Sequence, residues 1–240
     1  MRVSMARLVP GPHGSHACAR RARHGSSAYC ARWCDIGRIA DLVAEALAPT
    51  APAAWLVPDP SRRLPVLAAV ARIWAEHALL FGDAFLLPDG SAATVWFHRY
   101  RPIPSPHRYA DRLASAAGPD EDRFRRLGEE LAARRPAEPH NHLALLAAPR
   151  GGAAQALSAS QRRMDTLSLP TYAHPCAGEQ EELLRRLGYA ERETFAAPDG
   201  TPVRSLWRSA PLPAGGNDRW RNRRAGRREH DERAVGRAAR

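Results

Sequence analysis

The sequence predicts a mixed α/β sheet flanked by helices, and three observations carry that prediction. Short apolar runs alternate with helix-spaced segments through the second half, the pattern of strand–helix–strand units. Turn signals at Pro88-Asp89-Gly90-Ser91 and Pro198-Asp199-Gly200 each separate two β-prone runs, so hairpins flank the alternating part. The composition can also fill a core. With 44% hydrophobic and 25% charged residues over 240 positions, wholesale disorder is excluded. At about 100–200 residues per domain, the length fits one domain with extensions.

The elements follow in order. Asp35 stands where a cap belongs, ahead of Ile36, Ile39, Ala40, Val43, Ala46 and Leu47 at helical spacing, and Pro49 closes that helix. A Pro- and Ala-rich loop leads through Trp55-Leu56-Val57-Pro58 to a second helix over 61–80. The runs 83–87 and 92–97 form the first hairpin, and 100–106 is a Pro-punctuated connection. A charged helical region follows, carrying Tyr109, Leu113 and Ala116, then Phe124, Leu127 and Leu131. The second half reads as a strand over 142–148, a helix over 153–164, a strand over 169–173 and a helix over 179–187 that Gly188 ends. The closing hairpin spans 189–195 and 201–207.

The net charge of +11 is confined to the ends. Residues 1–34 hold six Arg and no acid, residues 214–240 hold nine Arg against four acids, and 35–213 is neutral. Every basic residue is Arg, a usage expected of a GC-rich genome. The expected organisation is a disordered basic extension over 1–34, a folded domain over 35–213 and a disordered Arg-rich tail over 214–240. A neutral domain with basic ends is a poor nucleic-acid surface, so that partner class is not expected, even with Trp220 among the tail arginines. His16, Cys18, Cys30 and Cys34 lack the paired knuckles of a zinc site, so no metal is expected. No apolar run approaches the roughly 18 residues of a membrane span, and Arg20-Arg21 precedes no apolar segment. Four thiols without a secretory signal fit a reducing cytoplasm.

Particular residues sit inside this order. Trp55-Leu56-Val57-Pro58-Asp59 lies between the first two helices, and the first hairpin ends in Ala93-Thr94-Val95-Trp96. Then come His140-Asn141-His142-Leu143-Ala144-Leu145-Leu146-Ala147, Leu187-Gly188-Tyr189 and Leu206-Trp207-Arg208. Over about 35–210 this arrangement resembles the GNAT superfamily of acetyl-CoA-dependent N-acetyltransferases, of actinobacterial type. The resemblance implies a mostly antiparallel sheet whose central parallel pair splays apart. It also implies a cofactor strand whose free backbone binds the pantetheine arm, and a turn whose N–H groups hold the pyrophosphate at a helix N-terminus. The cofactor contacts then fall on Leu145, Leu146, Ala147, Arg150, Gly151, Gly152 and Ala153.

The resemblance thins at the chemistry. The Gln/Arg position of the family's phosphate turn falls on Ala148, and the turn is short by about one helical turn. Leu184 stands where relatives carry a Tyr that protonates the leaving thiolate, and His174 stands where they carry a Glu. General acid catalysis is worth roughly 10²–10⁴-fold, so such a chain could still turn over slowly. His174 is the candidate base, since the usual imidazole pKa of about 6.5 suits an amine proton. Cys176 has no base partner by spacing, and His140 and His142 lack a third metal ligand. Trp55, Trp74, Phe85 and Trp96 are candidate liners of an acceptor pocket. The expected activity is acetyl transfer from acetyl-CoA to a primary amine of a small molecule or peptide. The alternative is a degenerate GNAT fold that binds acyl-CoA as a sensor or interaction module.

Overall fold

The computed structural model describes residues 27–211. The basic extensions, His16, Cys18, Arg20-Arg21 and Trp220 lie outside them, apart from residues 27–34 of the first extension.

One seven-stranded sheet organises the described residues, in the order β1-β2-β3-β4-β5-β7-β6. The strands are β1 (Tyr29–Cys30), β2 (Gly82–Leu86), β3 (Ala93–Arg99), β4 (His140–Ala147), β5 (Thr171–Ala173), β6 (Ala190–Ala196) and β7 (Pro202–Arg208). Every neighbouring pair is antiparallel except β4 and β5. Only that pair needs a crossover, and helix α6 (Ala153–Asp165) supplies it. The mixed, mostly antiparallel sheet with one parallel pair is the fold class that the sequence predicted.

Helices cover both faces. On one face α1 (Ile36–Leu47) and α3 (Pro60–Phe81) bury Ile36, Ile39, Val43, Ala75 and Ala78 against Val95, Phe97 and Ala147. Outside them α2 (Ala51–Leu56), α4 (Tyr109–Ala117) and α5 (Glu121–Ala133) pack on α3 through Leu56, Leu113 and Phe124. On the opposite face α6 and α7 (Gly178–Arg186) bury Leu157, Met164 and Leu184 against Trp96, Leu143, Ala173 and Leu206. Alternation along each strand puts successive residues on opposite faces, so each strand serves both cores.

Several elements differ from expectation for identifiable reasons. The Pro- and Ala-rich stretch is helix α2, not a loop: Thr50 caps it by accepting from Ala53 N at 3.3 Å, and Pro52 sits in its first turn, where no N–H is needed. The charged helical region is two helices, broken at Gly118 and Pro119. Order begins before residue 35, because Tyr29 and Cys30 pair with Leu86 and Phe85. Asp35 makes no side-chain cap to α1. It accepts instead from Arg32 N at 2.9 Å and the Tyr29 hydroxyl at 3.3 Å, tying this entry strand down. Cys34 is disulfide-bonded, so the reading of four free thiols does not hold, while Cys30 and Cys176 are free. Helix α3, at 22 residues with a mean hydropathy of 1.5 over its best window, is long and apolar enough to cross a bilayer. Here it serves the core, burying Val66, Leu67, Val70, Ile73 and Ala78 among others.

Candidate active site

The parallel pair is short. Asn141, His142 and Leu143 pair with Thr171, Tyr172 and Ala173, and there the pairing stops. Strand β5 ends at Ala173 and the chain leaves through His174 and Pro175, while β4 runs on to Ala147 against β3 alone. A bulge at Val95/Trp96 leaves Ala144 without a partner on β3, which turns the strand at the point of divergence. The two strands therefore open into a V. Inside it the Leu146 carbonyl accepts from Gln180 Nε2 at 3.0 Å, and Gln180 Oε1 accepts from Cys176 N at 3.1 Å. One glutamine from the start of α7 thus straps the V shut. Nothing in the spacing pointed to it.

The turn after β4 leads straight into α6. Gly151 and Gly152 both have positive φ, at 92° and 87°, a conformation that costs other residues energy. Gly152 has a second constraint, since a Cβ there would lie 2.7 Å from Leu87 Cδ1. The first backbone bond of α6 runs from Ala156 N to Gly152 O, so the N–H groups of Ala153 and Ala154 point out of the helix start. Such a terminus, at the mouth of the V, is a ready anion cradle. Arg150 pairs with Glu45 of α1 at 3.4 Å. The expected cofactor set is thereby brought together, with the backbone of Leu146 in the V and Gly151, Gly152 and Ala153 at its mouth. The side chains of Leu145 and Ala147 pack towards α1 and that of Leu146 towards α6, which leaves only backbone for a ligand. An acetyl-CoA arm and its phosphates fit that donor set.

Leu184 is different from what the resemblance implied. It is 1% exposed in the core with Leu157, Met164 and Leu206, so a side chain there faces apolar packing rather than the V. Phe85 and Trp96 are core on that same face and line no acceptor pocket. Trp55 and Trp74 pack between helices, Trp74 edge-on to Phe97 at 6.1 Å.

The other face of the V carries the polar groups. Register sets Arg99 beside His140, Phe97 beside His142, His142 beside Tyr172 and Tyr172 beside Trp207, all on one side of the sheet. His174, two residues beyond Tyr172, joins them with its ring 4.8 Å from Tyr172 and 6.0 Å from His142. The Tyr172 hydroxyl shares a 2.8 Å hydrogen bond with His174 Nε2 and donates to the Arg134 carbonyl at 3.3 Å. When its single proton goes to Arg134, the imidazole donates from Nε2 and keeps its lone pair on Nδ1. Arg135 follows directly, in the loop that α5 lays over this face.

Burial sets the electrostatics here. It pushes the His174 pKa down to about 4, with Arg135 adding to the effect and Glu193 opposing it. His142 falls well below the usual imidazole value through burial, then through His174, Arg99 and Arg135. His140 is lowered mainly by burial as well. Burial and then Arg135 bring Arg99 down to about 10. All three imidazoles are thus neutral at pH 7. Sequence reasoning singles out His174 and passes over Arg99 and Arg135, which the β3–β4 pairing and the α5 loop bring to the same face from distant positions.

No family model matches the chain, and no curated protein matches it. Among solved structures, one from Corynebacterium glutamicum, described as histone acetyltransferase HPA2 and related acetyltransferase, superposes with a TM-score of 0.58. It is 21% identical, and the match covers 78% of this chain and 98% of that one. The fold is that of the GNAT acetyltransferases. An agmatine N-acetyltransferase (15% identity, 74% and 95% coverage, TM-score 0.48) and a Drosophila melanogaster polyamine N-acetyltransferase (18%, 58% and 80%, 0.43) are more distant. At these identities the GNAT likeness is one of fold. What the chain does is argued from its own site.

Proposed function

We propose that the chain is a GNAT-type N-acetyltransferase, moving an acetyl group from acetyl-CoA to a primary amine of a small molecule or peptide in the cytoplasm. One observation carries this reading: the β4–β5 V exposes β4 backbone that no strand pairs and only the Gln180 side chain fills, with the positive-φ glycines and the α6 N-terminus at its mouth. Leu146 would hold the pantetheine amides, and the N–H groups of Gly152–Ala154 would hold the phosphates. Acetyl-CoA supplies the activated acyl group. His174 sits where the V closes, neutral at pH 7, and would take the proton that the amine sheds on acylation. A pKa near 4 makes it a weak acceptor, which suits an amine already acidified by attack better than a free ammonium.

A second reading has its own support. Gln180 straps the V, Arg150 is engaged by Glu45, and Leu184 offers no proton to a thiolate. These favour a protein that binds acyl-CoA without turnover. Acetyl-CoA consumption by the full chain against an amine panel separates the two. Release of free CoA only when an amine is present supports transfer; binding without release from any amine leaves the binding module.

A further inference from the structure

The polar face of the V holds an unusual set of unpartnered groups. Among the described residues Arg99 and Arg135 take part in no ion pair, although both are at least half-buried and each guanidinium carries a buried Nε without an acceptor. Arg99 has only the Phe97 ring, 5.5 Å away. Beside them His140 Nε2 and His142 Nδ1 are also without partners, on side chains whose residues are only 1% and 9% exposed. Four nitrogens in one neighbourhood lack a partner: the two guanidinium Nε–H groups lack an acceptor, whereas neutral His140, whose Nδ1 donates to the Glu138 carbonyl at 2.6 Å, presents a lone pair at Nε2.

Buried cations are ordinarily paired, because an uncompensated buried charge is costly. The carboxylates that act on His174 and His140 are committed elsewhere. Glu193 pairs with Arg134 at 2.8 Å, and Glu138 pairs with Arg192 at 3.3 Å. The like charges of Arg99 and Arg135 also act on each other. A fold that holds two guanidiniums together without a counter-ion is arranged for an anion that arrives from outside. Planar guanidinium forks match small oxyanions well.

We propose that Arg99 and Arg135 form an oxyanion-recognition site on the acceptor face, so that the acceptor amine also carries an acidic group, a carboxylate in the first instance. The amine half of this ligand rests on the acetyl-transfer reading above; the anion half rests on the arginines alone. The acid would dock at Arg99 and Arg135, and the amine would extend past His142 towards His174 at the closed end of the V. This disfavours a polycation, which two unpaired arginines would repel. It also couples binding to chemistry, since a bound anion offsets the Arg135 charge that adds to burial in lowering His174.

The test uses the full chain and matched probes: butyrate, γ-aminobutyrate, n-butylamine and aminopropylphosphonate, titrated by calorimetry without acetyl-CoA. Butyrate and γ-aminobutyrate are expected to bind and n-butylamine to fail. Arg99→Gln and Arg135→Gln should each weaken the acids at least tenfold. Both variants should fold, because each removes a charge that has no partner; an unchanged or raised melting temperature checks this. Histidine NMR should show the His174 pKa rising when butyrate is bound. Tighter binding of the phosphonate would keep the site and name a phosphoryl group as its anion. Equal binding of n-butylamine and γ-aminobutyrate, or full affinity in Arg99→Gln, would overturn the proposal whether or not the chain transfers acetyl groups. Acid binding without any acetyl transfer would instead count against the proposed function and leave the anion site standing.

Discussion

The two faces of the β4–β5 pair are built on opposite terms. Under α6 and α7, Leu143, Ala173, Leu184 and Leu206 pack with Leu157 and Met164, and few polar groups enter: Tyr189 donates to Gln161 at 2.7 Å and Trp96 to Thr94 at 3.1 Å, while Asn141 Nδ2 and Thr171 Oγ1 are the uncharged atoms left without a partner. On the other face three imidazoles and two guanidiniums crowd together, with four buried nitrogens unpartnered. The first arrangement lowers the free energy of the fold and the second raises it. A protein keeps such a face when a ligand completes it. The same two strands thus carry the stability on one side and the chemistry on the other.

The sharpest way to break this comparison is on the apolar side. Leu184→Ala should destabilise by about 2–5 kcal/mol, the usual cost of emptying a fully buried leucine site, read from the urea midpoint. A loss below 1 kcal/mol would mean that this face is not the stabilising one. Leu184→Tyr, which would restore the family's residue, should also destabilise, since its ring and hydroxyl enter a packed apolar site.

Acid should reveal the other face. The folded-state pKa of His174 is about 4 against about 6.5 in an unfolded chain, so between those values the unfolded chain binds more protons. Stability from this group is present above pH 6.5 and is lost as pH falls towards 4. At about 1.36 kcal/mol per unit the full loss is about 3 kcal/mol, with His140 and His142 adding in the same direction. His174→Asn should flatten the urea midpoint between pH 6.5 and 4; an unchanged profile would place the acid sensitivity elsewhere.

Between the faces lies the strap. Gln180→Ala removes two hydrogen bonds of about 0.5–1.5 kcal/mol each, so a stability loss of about 1–3 kcal/mol is expected at most. Acetyl-CoA affinity should then rise several-fold, because the ligand no longer displaces a side chain from Leu146. A fall in affinity would make Gln180 a ligand contact instead. The smallest effect belongs to Arg150→Ala. Its exposed pair with Glu45 is worth about 0–1 kcal/mol, and backbone N–H groups remain to hold the phosphates. A large loss of acetyl-CoA binding in that variant would move the phosphate contact from backbone to side chain.

The apolar face was the more legible in the sequence. Helical spacing fixed α1 to the residue, the Pro88–Ser91 turn placed the first hairpin, and Gly188, with φ of 87°, ended α7 as its position implied. These are local signals. Helix α2 is not announced by the sequence, although Thr50 and Pro52 are a start signal, because a Pro- and Ala-rich stretch reads equally as loop composition. Strand β1 is two residues long and exists through its pairing to β2 alone, which no periodicity can announce. The polar face was legible only in part. His174 stood out through its neighbours in the chain, whereas Arg99 and Arg135 look like surface arginines until the sheet register sets them beside His140 and His142. Leu184 read as a damaged catalytic position, and its burial shows a core position.

The most direct test is calorimetric titration of the full chain with acetyl-CoA, with free CoA as the comparison. A V with open strand backbone and a helix N-terminus at its mouth should bind both in the micromolar range, because the pantetheine and phosphate contacts are common to the two. A folded sample that binds neither would contradict the account, and would mean that the Gln180 strap has closed the V for good.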